Sequence, residues 1–192
     1  MKIKRSGKAL GLLLSTFVLT ACLLPGMIPL SSATATAGPM PAMETSADKV
    51  IATLQTGGYV RLETLAQEQY AEQEYAKPGT LTFTVNLTDT KPTYFSWAWC
   101  AVDQQTLQQN FGHIRVQLYF NGETLGSDVA HSLSFTSANN MVCGEVGALL
   151  SDWPAGKYEL KAMATFDQKI NDGLADYEPG DYVFEYHVAV EK

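Results

Sequence analysis

The sequence has few positive charges for its length. It carries 13 Lys and Arg residues against 20 Asp and Glu, which gives a formal net charge of −7 at pH 7. Proteins that bind nucleic acid need basic surface to neutralise phosphates. The charge balance therefore excludes nucleic acid as an expected partner.

The sequence also lacks the short motifs of common enzyme classes. It contains no glycine-rich phosphate loop, no H-E-x-x-H zinc motif and no G-x-S-x-G nucleophile motif. The only histidines, His113, His131 and His187, stand singly in strand-like segments. A catalytic triad can assemble from distant positions, so we expect a protein that is not an enzyme without excluding one. The enzyme alternative is a hydrolase with paired carboxylates, for which Glu159 and Glu185 are candidates.

The N-terminus has the composition of a secretory signal peptide. Four basic residues within positions 2–8 precede an apolar run from Ala9 to Ala21. About 20 apolar residues are needed to cross a bilayer, and this run of 13 is shorter. Residues 1–21 are therefore predicted to be an export signal.

The run ends in Leu19-Thr20-Ala21-Cys22, which resembles the lipobox of bacterial lipoproteins. The resemblance covers only the first 22 residues. It implies that Cys22 is acylated, with fatty acids such as palmitate, and becomes the mature N-terminus. It also implies a protein held on the extracytoplasmic face of the cell membrane by its lipid. The alternative is later cleavage near Ala35-Thr36-Ala37, which would give a soluble secreted protein.

The composition divides the remaining chain into a linker and one domain. Residues 22–43 are rich in Pro, Ser, Thr, Ala and Gly and carry no charge, which predicts a flexible linker. Residues 44–192 have the usual length of one domain. Loss of residues 1–21 removes four of the 13 basic residues and no acidic one, so the mature charge is −11. Such an acidic chain would not bind flat against a surface of anionic lipids. We therefore expect it to contact its predicted partner, the membrane, only through the N-terminal lipid.

Two cysteines remain after Cys22 is assigned to lipidation. Cys100 and Cys143 form an even pair in an exported chain, where disulfides persist. We expect them to form a disulfide. Two buried free thiols or a metal site are the alternatives, although no further Cys or His lies at zinc-ligand spacing.

From residue 80 onward, apolar and polar residues alternate with a period of two. This pattern is typical of half-buried antiparallel strands, and it occurs at residues 80–88, 95–99, 113–120, 158–166 and 182–190. Turn signals separate the runs, and the strongest is Asn121-Gly122. Asp103 is predicted to cap one short helix over Gln104 to Asn110.

These segments predict an all-β protein, an antiparallel two-sheet sandwich of roughly seven or eight strands with one short helix. Gly156-Lys157-Tyr158 and Gly180-Asp181-Tyr182 each place a tyrosine after a turn, and Cys100 follows Trp99. These features resemble immunoglobulin-like sandwiches. A jelly roll is the alternative.

An acidic loop near the C-terminus contains the candidate metal ligands. Calcium prefers six to eight oxygen ligands from carboxylates and carbonyls, and the loop offers Asp167, Asn171, Asp172 and Asp176. The alternative is a solvated acidic turn, because Asp172-Gly173 alone accounts for a tight hairpin. Calcium is the only cofactor that the sequence suggests.

Three tryptophans raise the question of ligand stacking. Trp97 and Trp99 share a strand face with Phe95, which core packing also requires, and we expect them to lie in the core. Trp153 precedes Pro154 at a turn and is therefore the better candidate for ligand binding.

Together these features favour a non-enzymatic binding or interaction module whose ligand, a protein or a small molecule, is unknown. Sandwiches bind through their end loops or an exposed face, and the candidate loops are 121–122, 137–141 and 167–181. The alternative is a structural or assembly component of the cell envelope that binds another protein through edge strands.

Overall fold

The structure is a computed structural model that describes residues 39–66, 69, 77–88 and 91–191. The predicted signal peptide, the lipobox with Cys22 and most of the predicted linker lie outside these residues. No helix in the described part of the chain is both long enough and apolar enough to span a membrane.

The described chain contains twelve strands, seven long and five of only two residues, with three helices between them. The strands are β1 (Ala42–Met43), β2 (Val60–Arg61), β3 (Gly79–Leu87), β4 (Thr93–Ala101), β5 (Ile114–Phe120), β6 (Glu123–Thr124), β7 (His131–Thr136), β8 (Val142–Ser151), β9 (Gly156–Phe166), β10 (Ile170–Asn171), β11 (Asp176–Tyr177) and β12 (Gly180–Val190). The helices are α1 (Ala47–Thr56), α2 (Leu62–Ala66) and α3 (Gln104–Phe111). Strand pairing thus begins at β1, in the last two residues of the predicted linker.

Two five-stranded sheets contain all the long strands. In the first sheet the order is β1-β8-β4-β2, and β7 also pairs with β8. In the second sheet the order is β3-β12-β9-β5-β6, while β10 and β11 form a separate hairpin. Most neighbours are antiparallel, but β3 runs parallel to β12 and β2 runs parallel to β4. The sheets are therefore mixed, a feature that a period-two pattern cannot reveal because it is the same in both strand directions.

The hydrophobic core lies between the two sheets. Phe95, Trp97 and Trp99 point inward from β4 and are buried. The ring of Phe95 meets Tyr186 of β12 at 6.0 Å, and the ring of Trp99 meets Phe166 of β9 at 5.3 Å. The predicted all-β sandwich and the predicted core position of Trp97 and Trp99 are confirmed.

Helix α1 covers part of the outer face of the first sheet. Ser46 caps its N-terminus, with its side chain accepting from the Lys49 amide, and Gly57 ends it in a left-handed conformation (φ 71°). Val50 of α1 packs on Tyr94 and Leu149, which are opposite each other on β4 and β8. This helix was not predicted, although its capping residues are visible in the sequence.

The predicted helix and hairpin near the middle of the chain are confirmed. Asp103 caps α3 by accepting from the Thr106 amide at 2.8 Å. Asn121 and Gly122, at φ 49° and 85°, form the turn between β5 and β6.

The predicted cysteine pair is also confirmed. Cys100 and Cys143 are opposite each other on β4 and β8, with their sulfur atoms 2.02 Å apart. The disulfide therefore joins neighbouring strands of one sheet. Antibody domains differ, since their conserved disulfide connects the two sheets.

Candidate functional site

The β10–β11 hairpin lies against the end of β4, where its backbone is held in place by two hydrogen bonds. The Val102 amide donates to the Asp172 carbonyl at 2.9 Å. The buried side chain of Asn110, on α3, donates to the Asn171 carbonyl at 2.9 Å. A Cβ atom on Gly173 would lie 2.3 Å from the Val102 side chain, so only glycine allows this close approach. The hairpin is thus fixed over one end of the sandwich.

The Asp172 side chain shapes the turn of this hairpin. It is 7% exposed, and its Oδ1 atom accepts from the amides of Leu174 (2.7 Å) and Ala175 (2.8 Å). Its Oδ2 atom accepts from the Tyr177 hydroxyl at 3.2 Å. No Lys, Arg or His of the described residues forms an ion pair with it. A buried carboxylate thus lies at the end of the sandwich without a cationic partner among these residues.

A cavity of about 230 Å³ lies between this hairpin, β4 and β12. Five aromatic side chains line it, namely Trp97, Trp99, Tyr177, Tyr182 and Phe184. Asp172 and Met141 also contribute to its wall, so both the 137–141 loop and the 167–181 loop reach it. The cavity thus combines apolar rings with one carboxylate.

Some of the polar groups around the cavity have a hydrogen-bond partner among the described residues, and others do not. The indole Nε1 of Trp99 is buried and has no hydrogen-bond partner among the described residues. The Tyr182 hydroxyl donates to the Glu178 carbonyl at 2.8 Å. Burial and the neighbouring Asp172 raise the pKa of Tyr177 to about 12, so this phenol stays protonated at neutral pH and keeps donating to Asp172. The indole N–H of Trp99 is therefore a buried donor without a described partner, in a side chain that lines the cavity.

Few reactive side chains line the cavity among the described residues. The described residues that line it include no His, Ser, Thr, Lys or Arg, and Cys100 in its wall is in the disulfide. The described lining therefore offers aromatic rings, their indole and hydroxyl groups and one carboxylate, but no nucleophile with an adjacent base.

The structure brings together only some of the four residues predicted to bind calcium, which are Asp167, Asn171, Asp172 and Asp176. Asp167 follows β9 and lies 2.9 Å from the His113 ring. Asn171 donates to Asp176 at 2.7 Å, and Asp176 also pairs with Lys169 at 3.1 Å. No group of three or more His, Cys, Asp or Glu side chains that could hold a metal ion occurs in the described part of the chain. Calcium binding here stays a prediction.

Trp153, the tryptophan predicted to bind a ligand, is as buried as Trp97 and Trp99 and does not line the cavity between the hairpin, β4 and β12. Trp153 is 8% exposed and belongs to the core. Its ring packs against Tyr158 at 5.2 Å and Phe120 at 6.1 Å. The turn after Trp153 folds β9 back over the indole, so the sequence argument from Pro154 misjudged its exposure. The cavity uses Trp97 and Trp99 instead, which the sequence assigned to the core alone.

A buried ion pair lies on the outer face of the first sheet. Arg61 on β2 contacts Glu145 on β8 through both carboxylate oxygens, at 2.5 and 3.3 Å, and Ser96 on β4 donates to Glu145 at 2.7 Å. Although burial opposes its charge, the hydrogen bond and the charge of Glu145 raise the pKa of Arg61. The guanidinium also lies 5.2 Å from the Tyr94 ring centroid. This cluster connects β2, β4 and β8, and we interpret it as a contribution to the stability of the first sheet.

The outer face of the second sheet carries a larger groove, of about 460 Å³. Its polar side chains include Thr84, Glu159 and His187, which are opposite one another on β3, β9 and β12 and are all exposed. The other candidate carboxylate of the hydrolase alternative, Glu185, is opposite Lys161 on this face. The groove is a solvated strand face rather than an enclosed site.

Sequence reasoning missed that Tyr177, Tyr182 and Phe184 join Trp97 and Trp99 around one cavity. The available signal was the density of aromatic residues just after the acidic loop.

A scan against protein-family models found no matching family, and a search of the curated proteins found no matching protein.

Proposed function

We propose that this chain is a lipid-anchored binding module on the extracytoplasmic face of the cell membrane. Support for the anchor comes from the basic and apolar leader and the lipobox-like Leu19-Thr20-Ala21-Cys22. The uncharged segment before the first strand would act as a spacer between lipid and domain.

The binding role is supported by the cavity at the end of the sandwich. One observation carries it: Trp99 lines an aromatic cavity, and its buried indole N–H has no partner among the described residues. A buried polar group without a hydrogen bond costs about 1–3 kcal/mol. A ligand that accepts from Trp99 and fills the space between the rings would recover that free energy.

The anchor is tested by membrane fractionation of cells that produce the native chain or its Cys22→Ala variant. The native chain is expected in the membrane fraction with a lipid mass on Cys22, and the variant in the soluble extracytoplasmic fraction. An unmodified Cys22 in a chain that retains Met1 would contradict this part of the proposal.

The binding role is tested by a thermal-shift screen of the full chain against sugars, small ions, amines and short peptides. A ligand of the native state raises the unfolding temperature, and the rise grows with the logarithm of the ratio of its concentration to its Kd. Trp99→Phe should remove most of the shift. Trp153→Phe is the matched control, because Trp153 is equally buried and also has an unpartnered Nε1 but lies outside the cavity. If no compound stabilises the chain, or if both variants behave alike, the cavity is not the binding site.

A further inference from the structure

We propose that the cavity binds a small organic ammonium ion that also carries an oxygen acceptor. This inference rests on the proposed binding function and specifies the class of ligand. It follows from the combination of one buried carboxylate, five aromatic rings and one unpaired N–H donor at a single small cavity.

The carboxylate of Asp172 favours a cationic ligand, because it lines the cavity without a cationic partner among the described residues. A buried charge is stable only when it is hydrogen-bonded and paired. Three donors satisfy Asp172, but no described side chain supplies the positive charge. A carboxylate has about four lone-pair sites, so one remains for a cation that enters the cavity.

The five aromatic rings around the cavity also favour a cation. Trp, Tyr and Phe attract cations through the negative potential of their faces, and this attraction grows when the cation is removed from water. Quaternary ammonium groups are recognised by such clusters of aromatic side chains. Trp97, Trp99 and Tyr177 supply three of the five rings, and Trp is the strongest of the three ring types.

The indole N–H of Trp99 and the size of the cavity limit the ligand further. A bare ammonium ion has no acceptor for Trp99, so the ligand needs an oxygen atom a few bonds from its charge. Pockets for drug-sized ligands are roughly 300–1,000 Å³, and this cavity of about 230 Å³ is smaller. A compact cation of a few heavy atoms therefore fits this cavity better than a ligand that contains several rings.

The charge of the whole domain favours the same class. Residues 22–192 carry nine basic and 20 acidic residues. A protein with this excess of negative charge attracts small cations and repels small anions at low ionic strength.

Isothermal titration calorimetry with choline and with 3,3-dimethylbutan-1-ol tests the inference. The two molecules have nearly the same shape and the same hydroxyl, but the second has an uncharged carbon atom in place of the nitrogen. The full chain is used in an uncharged polyoxyethylene detergent, which brings no choline headgroup and no sugar. We expect choline to bind at least tenfold more tightly than the alcohol.

Two variants test which carboxylate contacts the positive charge of the ligand. Asp172→Asn keeps the Oδ1 atom that accepts from Leu174 and Ala175, and it should weaken choline binding at least tenfold while leaving the alcohol unchanged. Asp176→Asn removes an exposed carboxylate from the same hairpin and should change neither affinity. Binding of the alcohol by Asp172→Asn shows that the cavity is still formed in that variant.

The remaining outcomes separate this inference from the proposed function. Equal binding of choline and the alcohol overturns the cation inference and leaves an apolar binding cavity. Absence of both from the native chain, together with a Trp99-dependent thermal shift from a sugar or a peptide, also overturns it alone. Absence of any Trp99-dependent ligand overturns both.

Discussion

Trp99 and Tyr177 pack edge to face, with ring centroids 4.7 Å apart and planes at 75°. This contact joins β4 of the first sheet to the β10–β11 hairpin, and the hydroxyl of the same tyrosine donates to Asp172. The position of the hairpin and the shape of the cavity are therefore coupled. Changes that move the hairpin should change ligand binding as well as stability.

Gly173→Ala tests this coupling. The residue has φ 97°, and an added Cβ would clash with Val102, so the hairpin must move. We expect a loss of about 2 kcal/mol in the free energy of unfolding, typical of overpacking, and a weaker thermal shift from any cavity ligand. Gly57→Ala is the control, since it has φ 71° but no atom within 4 Å of the added Cβ. Unchanged ligand affinity in Gly173→Ala would show that the hairpin does not shape the site.

Loss of the disulfide should destabilise the domain without opening the sandwich. The bridge closes a loop with a sequence separation of 43, for which the chain-entropy relation gives about 4 kcal/mol. Paired Cys100→Ala and Cys143→Ala substitutions should lower the free energy of unfolding by about that amount in urea titrations. Cys22→Ala serves as the control. A midpoint equal to that of the native chain would mean that the bridge does not constrain the unfolded state.

Arg61→Met should be more damaging than the loss of both partners of the buried ion pair. The single change leaves Glu145, 2% exposed, as a buried charge with only Ser96 as a donor. We expect it to cost about 3 kcal/mol, at the lower end of the usual range because Arg61 is 30% exposed. Adding Glu145→Gln removes the charge and keeps an acceptor for Ser96. Denaturant unfolding should show the double variant to be more stable than Arg61→Met, and the reverse order would contradict this account.

The cap of α3 predicts a defined pH dependence. The amide of Thr106 lowers the pKa of Asp103 below the ordinary value of 3.8. A lowered folded-state pKa means that this stabilisation is complete above the unfolded-state pKa and is lost as the pH falls through the folded-state value. The unfolding temperatures of the native chain and Asp103→Ala should therefore differ above pH 4 and converge at lower pH. Asp103→Asn keeps a capping oxygen that does not ionise, so its advantage over alanine should not follow this titration.

Local signals in the sequence were sufficient for much of the fold. The period of two located five of the long strands (β3, β4, β5, β9 and β12), Asp103 marked the start of α3, and Asn121-Gly122 marked a hairpin. Each of these features depends on neighbouring residues. Helix α1 was missed because its Ser46 and Gly57 caps enclose only a few apolar positions, although these bury Val50 completely.

Features that depend on distant contacts could not be predicted in the same way. Arg61 and Glu145 are 84 residues apart in the chain, and no pattern near either one indicates the other. The parallel pairing of β3 with β12 leaves no mark on the alternation of side chains. For the cavity, the sequence treated the tryptophans of β4 as core and the acidic loop as a separate candidate. Only the fold of the hairpin brings Asp172 and Tyr177 to Trp99.

The most direct test of the proposed site is the indole N–H resonance of each tryptophan during a titration with choline, followed by ¹⁵N-edited NMR of the full chain. The Trp99 signal is predicted to shift and saturate as its unpaired donor gains an acceptor, while the Trp153 signal stays in place. A Trp99 signal that does not move at concentrations where calorimetry detects binding would contradict the assignment of this cavity as the ligand site.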